Sequence, residues 1–280
     1  MTVPTFTIES ALDPRLEDYR AMRDRDLRGD GARPGVFIGE SRLVVERMVA
    51  LGIPMRSVLV ERRHAEWMRD LLGTARPSDT PLFVADESVL RSVVGFDVHR
   101  GVLAIGERPT RDALTIDRAV PRRDRLTVLL VDGVNNADNM GGLYRNAAAF
   151  GVDAVVLSPT CHDHLYRKAI RVSLGHALAV PTARSEHWVE DLRRLRDEWG
   201  LTIVAAAIGP GSVDLGDLAS DPALERVALL VGNEFSGLSD AALHLADVRV
   251  RIAMAPGVDS LNVATAAAVL LHRLSRAPLS

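Results

Sequence analysis

The stretch "VALLVGNEFSGLSDAALHLADVRVRIAMAPGVDSLNVATAAAVLLHRL", Val227 to Leu274, decides the fold. Val227 to Val231 is a short apolar run stopped by Gly232, which predicts a buried strand delivering "GNEFSGLS" at its carboxyl end. Open α/β sheets place their ligands at that end. A second run, Val248 to Ile252, ends in "AMAPGVDS", where Pro256 and Gly257 forbid regular structure before a helix begins. Asp259 or Ser260 is placed to cap that helix. Within it Leu261, Ala264, Ala267, Ala268, Leu271 and Leu274 recur at helical spacing as one apolar stripe, small enough to admit another backbone closely. Two sharp loops with unpaired amides at a helix start describe a pocket for a cofactor with a polar end. Two ordinary strand-to-helix turns would look the same.

Outward from this stretch, the second half alternates apolar runs with helical patterns: Leu126 to Asp132, Val155 to Leu157, Thr202 to Ala206, then the two strands above. Continuous apolar strands of this kind predict a mostly parallel sheet covered on both faces. Before it, 108–125 is polar, holds two prolines and carries six arginines, Arg108, Arg111, Arg118, Arg122, Arg123 and Arg125. It reads as a linker and also as a basic tract able to meet phosphates. Residues 1–107 form a separate α/β unit: a charged opening segment with Arg23, Arg25 and Arg28, a strand and helix in "GVFIGESRLVVERMVALG" with Leu43, Val44, Met48 and Val49 inward, a strand Arg56 to Val60, a helix in "RRHAEWMRDLL", a strand and helix in "TPLFVADESVLRSVVG", and a closing strand in "GVLAIGERP". The expected division is 1–107, a linker 108–125, and 126–280.

Composition bounds the function classes. A chain of 280 residues with 47% hydrophobic content has ample core for folded domains. No apolar run approaches the roughly 18 residues of a membrane helix, and "MTVPTFTIESALD" lacks the basic and then apolar regions of a signal peptide. One cysteine, Cys161, excludes an internal disulfide framework. A soluble, cytoplasmic protein without membrane contact is expected. The net charge of −3 gives no global basic signature for nucleic acid, yet arginine supplies nearly all cationic charge, Lys168 being the only lysine. Arginine suits bidentate phosphate contact and base stacking.

The remaining motifs narrow the chemistry. "VDGVNNADNMGGLYRNAAAFGVDAVVL" has the order of a dinucleotide fold but no G-x-G-x-x-G and no acidic residue ending its second strand. The P-loop and the G-x-S-x-G elbow are absent. "CHDH" at Cys161 to His164 lacks a partner cluster at ligand spacing, so no metal is expected. Taken alone, Arg145 reads as a surface or ion-paired arginine.

Three motifs in order resemble the SpoU/TrmH family of RNA ribose 2′-O-methyltransferases, in the SPOUT superfamily. "NMGGLYR", Asn139 to Arg145, is similar to N-x-G-x-x-x-R; "LLVGNEFSGLS", Leu229 to Ser239, to G-x-E-x-x-G-[LM]; and "IAMAPGVDSLNVATA", Ile252 to Ala266, to I-P-M-x-G-x-x-S-L-N-V-[SA]-x-A. "LYRKAIRVSLGHALAVP", Leu165 to Pro181, is similar to the segment between the first two motifs. Ala253 stands where the family has proline, and Pro256 where it has a small residue. The amino-terminal half resembles, less specifically, an L30e-like RNA-binding domain.

The resemblance implies an α/β fold: a carboxyl-terminal trefoil-knot (SPOUT) methyltransferase domain with a smaller amino-terminal α/β domain. It implies S-adenosyl-L-methionine as cofactor, bound by Gly232, Ile252 and Leu261, and active-site roles for Asn139, Arg145, Glu234, Ser260 and Asn262. Glu234 has two readings, chemistry or capping of its own loop through backbone N–H groups. The implied partners are RNA, ribosomal in preference to transfer RNA, and a second copy bound through the carboxyl-terminal domain. An RNA-binding module without catalysis is the rival of another class.

Overall fold

The computed structural model describes residues 3–20, 35–74, 79–95, 101–218, 222–258 and 260–274. Arg23, Arg25, Arg28 and the expected cap Asp259 lie outside the described residues. The chain forms two compact units, Met1–Pro109 with Leu165–Leu178, and Thr110–His164 with Ala179–Ser280. The segment Leu165–Leu178, read in the sequence with the second half, groups with the first unit.

The first unit is built on five strands, β1 (Thr5–Ile8), β2 (Val36–Glu40), β3 (Met55–Glu61), β4 (Leu82–Ala85) and β5 (Val102–Glu107), in the order β1-β4-β3-β5-β2. β1, β4 and β3 pair in parallel, whereas β5 runs antiparallel to both β3 and β2. Helix α1 (Arg42–Ala50) buries Val44, Val45 and Met48, and leaves Leu43 39% exposed. Leu43 falls in its first turn, off the stripe that the later residues set. Helices α2 (Ala65–Thr74) and α3 (Glu87–Val94) cover the sheet through Met68 and Leu72 and through Leu90, Val93 and Val94. Gly95 ends α3 in the left-handed region at φ 81°, returning its N–H to Arg91. That position strains any residue with a Cβ.

A short helix from later in the chain, α6 (Arg167–Val172), completes this unit. Arg167 and Arg171 converge on the buried carboxylate of Glu40, at 2.5 and 3.2 Å. Arg47 donates to the Leu174 carbonyl at 2.8 Å. Glu40 ends β2, so a strand of the first hundred residues and a helix more than a hundred residues later share one buried charge.

The second unit holds seven strands: β6 (Leu126–Val131), β7 (Ala154–Leu157), β8 (Thr182–Arg184), β9 (Thr202–Ala206), β10 (Val213–Asp214), β11 (Arg226–Val231) and β12 (Val248–Arg251). Their order is β10-β12-β9-β11-β6-β7-β8 and every pairing is parallel. The continuous apolar runs predicted this sheet; the short edge strands β8 and β10 carry too few apolar residues to be read. On one face, Leu126, Val128, Leu130, Ala228 and Leu230 pack with Leu192, Leu195 and Trp199 around α7 (Trp188–Asp197). The tract 108–125 is part of this packing. It carries α4 (Ile116–Ala119), and Ile116, Ala119 and Val120 are buried in the same core. Five of its arginines are engaged: Arg108 with the Val36 carbonyl, Arg111 with Glu186, Arg122 over the Trp199 ring at 3.6 Å, Arg123 with Asp153 and Arg125 with Glu225.

Two helices flank the carboxyl edge of the sheet, α5 (Ala137–Ala149) and α9 (Val263–Leu274); α8 (Asp240–Leu245) lies between β11 and β12 in sequence. α5 and α9 touch at Gly142, where a Cβ would lie 2.8 Å from that of Ala264. Asn146 donates to the Ala264 carbonyl at 2.6 Å. The cap of α9 is Asn262, whose Oδ1 accepts from the Ala264 and Thr265 N–H groups. The sequence expectation of Asp259 or Ser260 is corrected, and Leu261 precedes the helix at 40% exposure. Ala267, part of the predicted small stripe, is wholly buried within the unit, so it belongs to the internal core.

Replacing Glu40 by alanine should destabilise the first unit by about 3 kcal/mol, because the shielded arginine charge loses its carboxylate. Hydrogen exchange should show residues 165–178 losing protection first.

Candidate active site at the carboxyl edge of the parallel sheet

The chain runs from β6 outward through β7 and β8 on one side, while β11, β9 and β12 extend the sheet on the other. The loops after β6 and β11 therefore leave neighbouring strands at the point where the order reverses, the usual ligand position in such sheets. They are stitched together. Asp132, 7% exposed, accepts from the Ser239 N–H at 2.9 Å and from its hydroxyl at 2.7 Å. Asn233 donates to the Gly133 carbonyl at 2.7 Å.

Gly232 is fixed by close approach. A Cβ there would lie 2.4 Å from the Gly237 carbonyl carbon and 2.6 Å from the Leu238 nitrogen, backbone atoms that cannot swing aside. The turn that follows is closed by reciprocal Asn233–Gly237 backbone bonds of 2.9 Å. Asn233 Oδ1 accepts from the N–H groups of Phe235 and Ser236. The loop-capping role weighed for Glu234 thus belongs to Asn233.

Three of the predicted polar residues come together. Asn139 Nδ2 donates to Glu234 Oε1, and Asn139 Oδ1 accepts from Asn262 Nδ2 at 2.7 Å. The direction of this chain is determined. Asn262 commits its oxygen to the α9 cap, so its amide nitrogen faces Asn139; Asn139 then presents its own nitrogen to a carboxylate. The second oxygen, Glu234 Oε2, is shielded from solvent and has no hydrogen-bond partner among the described residues. A buried oxygen left unpaired in this way requires an explanation, and a substrate or cofactor donor would supply one. Asn139 is held in place by the N-cap Asn136, which accepts from the Asp138 and Asn139 N–H groups.

Arg145 lies further along α5, exposed, and among the described residues it has no ion-pair or hydrogen-bond partner. Of the two readings offered by the sequence, surface or ion-paired, the structure shows the first. Most other arginines of this unit named above are engaged, so Arg145 is left available to an outside anion.

Leu261, the residue before Asn262, lines a cavity of about 150 Å³. Its walls are Ala206 at the end of β9 with Ala207 and Ile208 beyond it, Val250 to Ile252 and Met254 at and past the end of β12, Ser260 and Leu261, and Ala266 and Leu270 of α9. Ile252, Leu261 and Ser260 therefore line one pocket, while Gly232 shapes the adjoining turn and is outside its lining. An apolar slot floored by strand-end backbone fits a flat heterocycle held by main-chain groups, the mode implied for the cofactor. Sequence reasoning missed Asp132, Asn233 and Ala206 to Ile208. The rule that ligands gather at strand ends points to all three segments, but only the strand order shows that β9 lies beside β11 and β12.

"CHDH" has a structural role. The Cys161 thiol donates to the Val131 carbonyl at 3.1 Å, and burial pushes its pKa up. His164 stacks on Tyr144 at 5.5 Å, and the Tyr144 hydroxyl pairs with Thr182. Among the described residues no three His, Cys, Asp or Glu side chains converge as metal ligands, and no helix is long and apolar enough to cross a membrane.

A pocket and polar chain at the carboxyl edge of a parallel sheet define a domain built to hold a small organic cofactor. The chain belongs to the SpoU rRNA methylase family, whose model matches residues 126–272. It is 41% identical over 266 residues to an uncharacterized tRNA/rRNA methyltransferase of Mycobacterium tuberculosis, covering 94% of this chain and 89% of that one. It is 30% identical over 272 residues to the 23S rRNA (uridine(2479)-2′-O)-methyltransferase of Streptomyces viridochromogenes, covering 95% and 91%. The fold is similar to the AdoMet-bound rRNA methyltransferase of Sinorhizobium meliloti, with a TM-score of 0.79 and 25% identity over 99% of each chain.

Gly232→Ala should open the 233–237 turn and abolish saturable S-adenosylhomocysteine binding in calorimetry. Circular dichroism should remain that of the parent chain.

Proposed function

We propose that this chain transfers a methyl group from S-adenosylmethionine to a ribose 2′-hydroxyl of ribosomal RNA. The observation that carries the reading is the convergence of Asn139, Glu234 and Asn262, from three separate motifs, into one hydrogen-bonded chain beside an apolar cavity. The similarity to a 23S rRNA 2′-O-methyltransferase over more than nine-tenths of both chains favours ribosomal over transfer RNA.

When bound, the cofactor supplies an electrophilic methyl carbon on a sulfonium. Attack by the 2′-oxygen forms a C–O bond, breaks the C–S bond and releases the hydroxyl proton, so alignment supplies much of the rate. Ile252 and Leu261 hold the adenosine part through backbone and apolar contact, and Gly232 keeps the 233–237 turn in the shape that the site needs. Ser260 and Asn262 fix the loop that carries it. Arg145, a permanent cation, binds the phosphate next to the target and stabilises the developing alkoxide. Glu234 Oε2 is the oxygen this chain offers to the departing proton, and Asn139 holds that carboxylate by its other oxygen.

Around this chemistry we assign the trefoil knot, supported by β11 entering the sheet between β6 and β9, both earlier in the chain. The first unit is assigned to binding structured RNA, and the setting is the cytoplasm.

Arg145→Ala should leave cofactor affinity intact and slow single-turnover transfer by about 10²-fold at saturating RNA, the scale of losing one transition-state donor. A wild-type rate would mean that Arg145 only binds.

A homodimer through the second unit completes the proposal. Exposed Val213, Val258 and Val269 supply apolar surface for it. Light scattering should give twice the monomer mass, and Val269→Asp, on the exposed side of α9, should shift it toward the monomer.

A further inference from the structure

We propose that Phe235 is a stacking platform for an unpaired RNA base adjoining the ribose that is methylated. The inference rests on the methyl-transfer reading above and adds to it a residue that selects how the RNA is presented. Phe235 is 94% exposed, more than any other large hydrophobic side chain among the described residues. An aromatic ring held in water contributes nothing to the core, and its apolar surface carries a solvation cost.

The backbone beneath the ring is nonetheless fixed at several points. Asn233 and Gly237 exchange two backbone bonds of 2.9 Å, Asn233 Oδ1 accepts from the Phe235 N–H at 2.8 Å, and Asn233 Nδ2 ties the turn to the Gly133 carbonyl at 2.7 Å. A ring with two rotatable bonds on a rigid turn loses little freedom when a partner covers it. The residue before it is Glu234, whose carboxylate holds Asn139. The stacking ring and the polar chain thus spring from adjacent Cα atoms, about 3.8 Å apart.

The surroundings select the partner. Glu234 disfavours a phosphate at this turn, leaving the neutral base as the part of a nucleotide that fits. A protein partner is poorly matched to a lone ring. Stable protein interfaces bury about 800 Å² per side, whereas one aromatic side chain buries roughly 150–250 Å², and the neighbours of Phe235 in the chain, Glu234, Ser236 and Gly237, add no apolar side chain to it. A base offers a flat face of similar size, and RNA recognition commonly splays single-stranded bases onto such rings.

The test uses the full chain and 23S rRNA. Phe235→Ala should raise the KM for RNA between about 5- and 150-fold, the range of losing one stacked base. It should leave kcat at saturating RNA and S-adenosylhomocysteine affinity unchanged. Phe235→Trp should restore the KM and Phe235→Leu should not, a pattern that general apolar contact would not give. An unchanged KM in Phe235→Ala, or equal rescue by leucine, would overturn the proposal, as would a change in light-scattering mass that assigns the ring to a protein contact. RNA affinity is measured in parallel by filter binding, which needs no turnover. If the wild-type chain binds RNA through Phe235 but transfers no methyl group, the enzymatic reading fails while the stacking contact stands.

Discussion

The chain of hydrogen bonds from Glu234 through Asn139 to Asn262 is the constraint on which the rest of the site depends. Its members come from the turn after β11, the first turn of α5 and the cap of α9. Each amide has one orientation that satisfies both neighbours, so a disturbance at one end reorients the other. Around it the supporting groups have the same character: Asp132 holds Ser239, Asn233 holds Gly133 and its own turn, and Gly142 lets α5 and α9 approach closely enough for Asn139 to meet Asn262. A group-transfer site needs this preorganisation because alignment, more than acid–base strength, lowers the barrier of an in-line displacement.

Division of labour within the site follows from shielding. The cavity between β9, β12 and α9 is lined mostly by apolar side chains, while Glu234 of the polar chain carries a carboxylate oxygen with no partner among the described residues. Arg145 lies exposed on α5, without an ion-pair or hydrogen-bond partner among the described residues. Phe235 projects from the turn that also bears Glu234. The turn after β11, the start of α5 and the loop before α9 thus bring Glu234, Asn139 and Asn262 together at one sheet edge.

Much of this was legible in the sequence for a physical reason. Buried parallel strands must be apolar throughout, so β6, β7, β9 and β11 announce themselves as apolar runs, whereas β12, Val-Arg-Val-Arg, is less buried and shows only alternate apolar positions. The three motifs supplied Asn139, Glu234 and Asn262, but spacing could not say that they touch, because contact depends on strand order. The cap of α9 was misplaced because Asp, Ser and Asn all cap well, and only the backbone path chooses among them. Ala267 followed the helical period correctly, yet periodicity cannot distinguish a face packed inside the unit from one offered to a partner. The tract 108–125 illustrates the same limit: its arginines predict solvation, but Ile116, Ala119 and Val120 are buried, and five of the arginines have partners within the chain. Leu165–Leu178 joins the first unit through a charge on Glu40, a long-range pairing that no local pattern encodes.

The most direct measurement of the central claim is incubation of the purified chain with S-adenosylmethionine carrying a labelled methyl group and, separately, with unmodified 23S rRNA and bulk transfer RNA, followed by digestion to nucleosides. The account predicts label in a single 2′-O-methylated nucleoside from 23S rRNA. Label on a base, label in transfer RNA alone, or no transfer despite cofactor binding would contradict it.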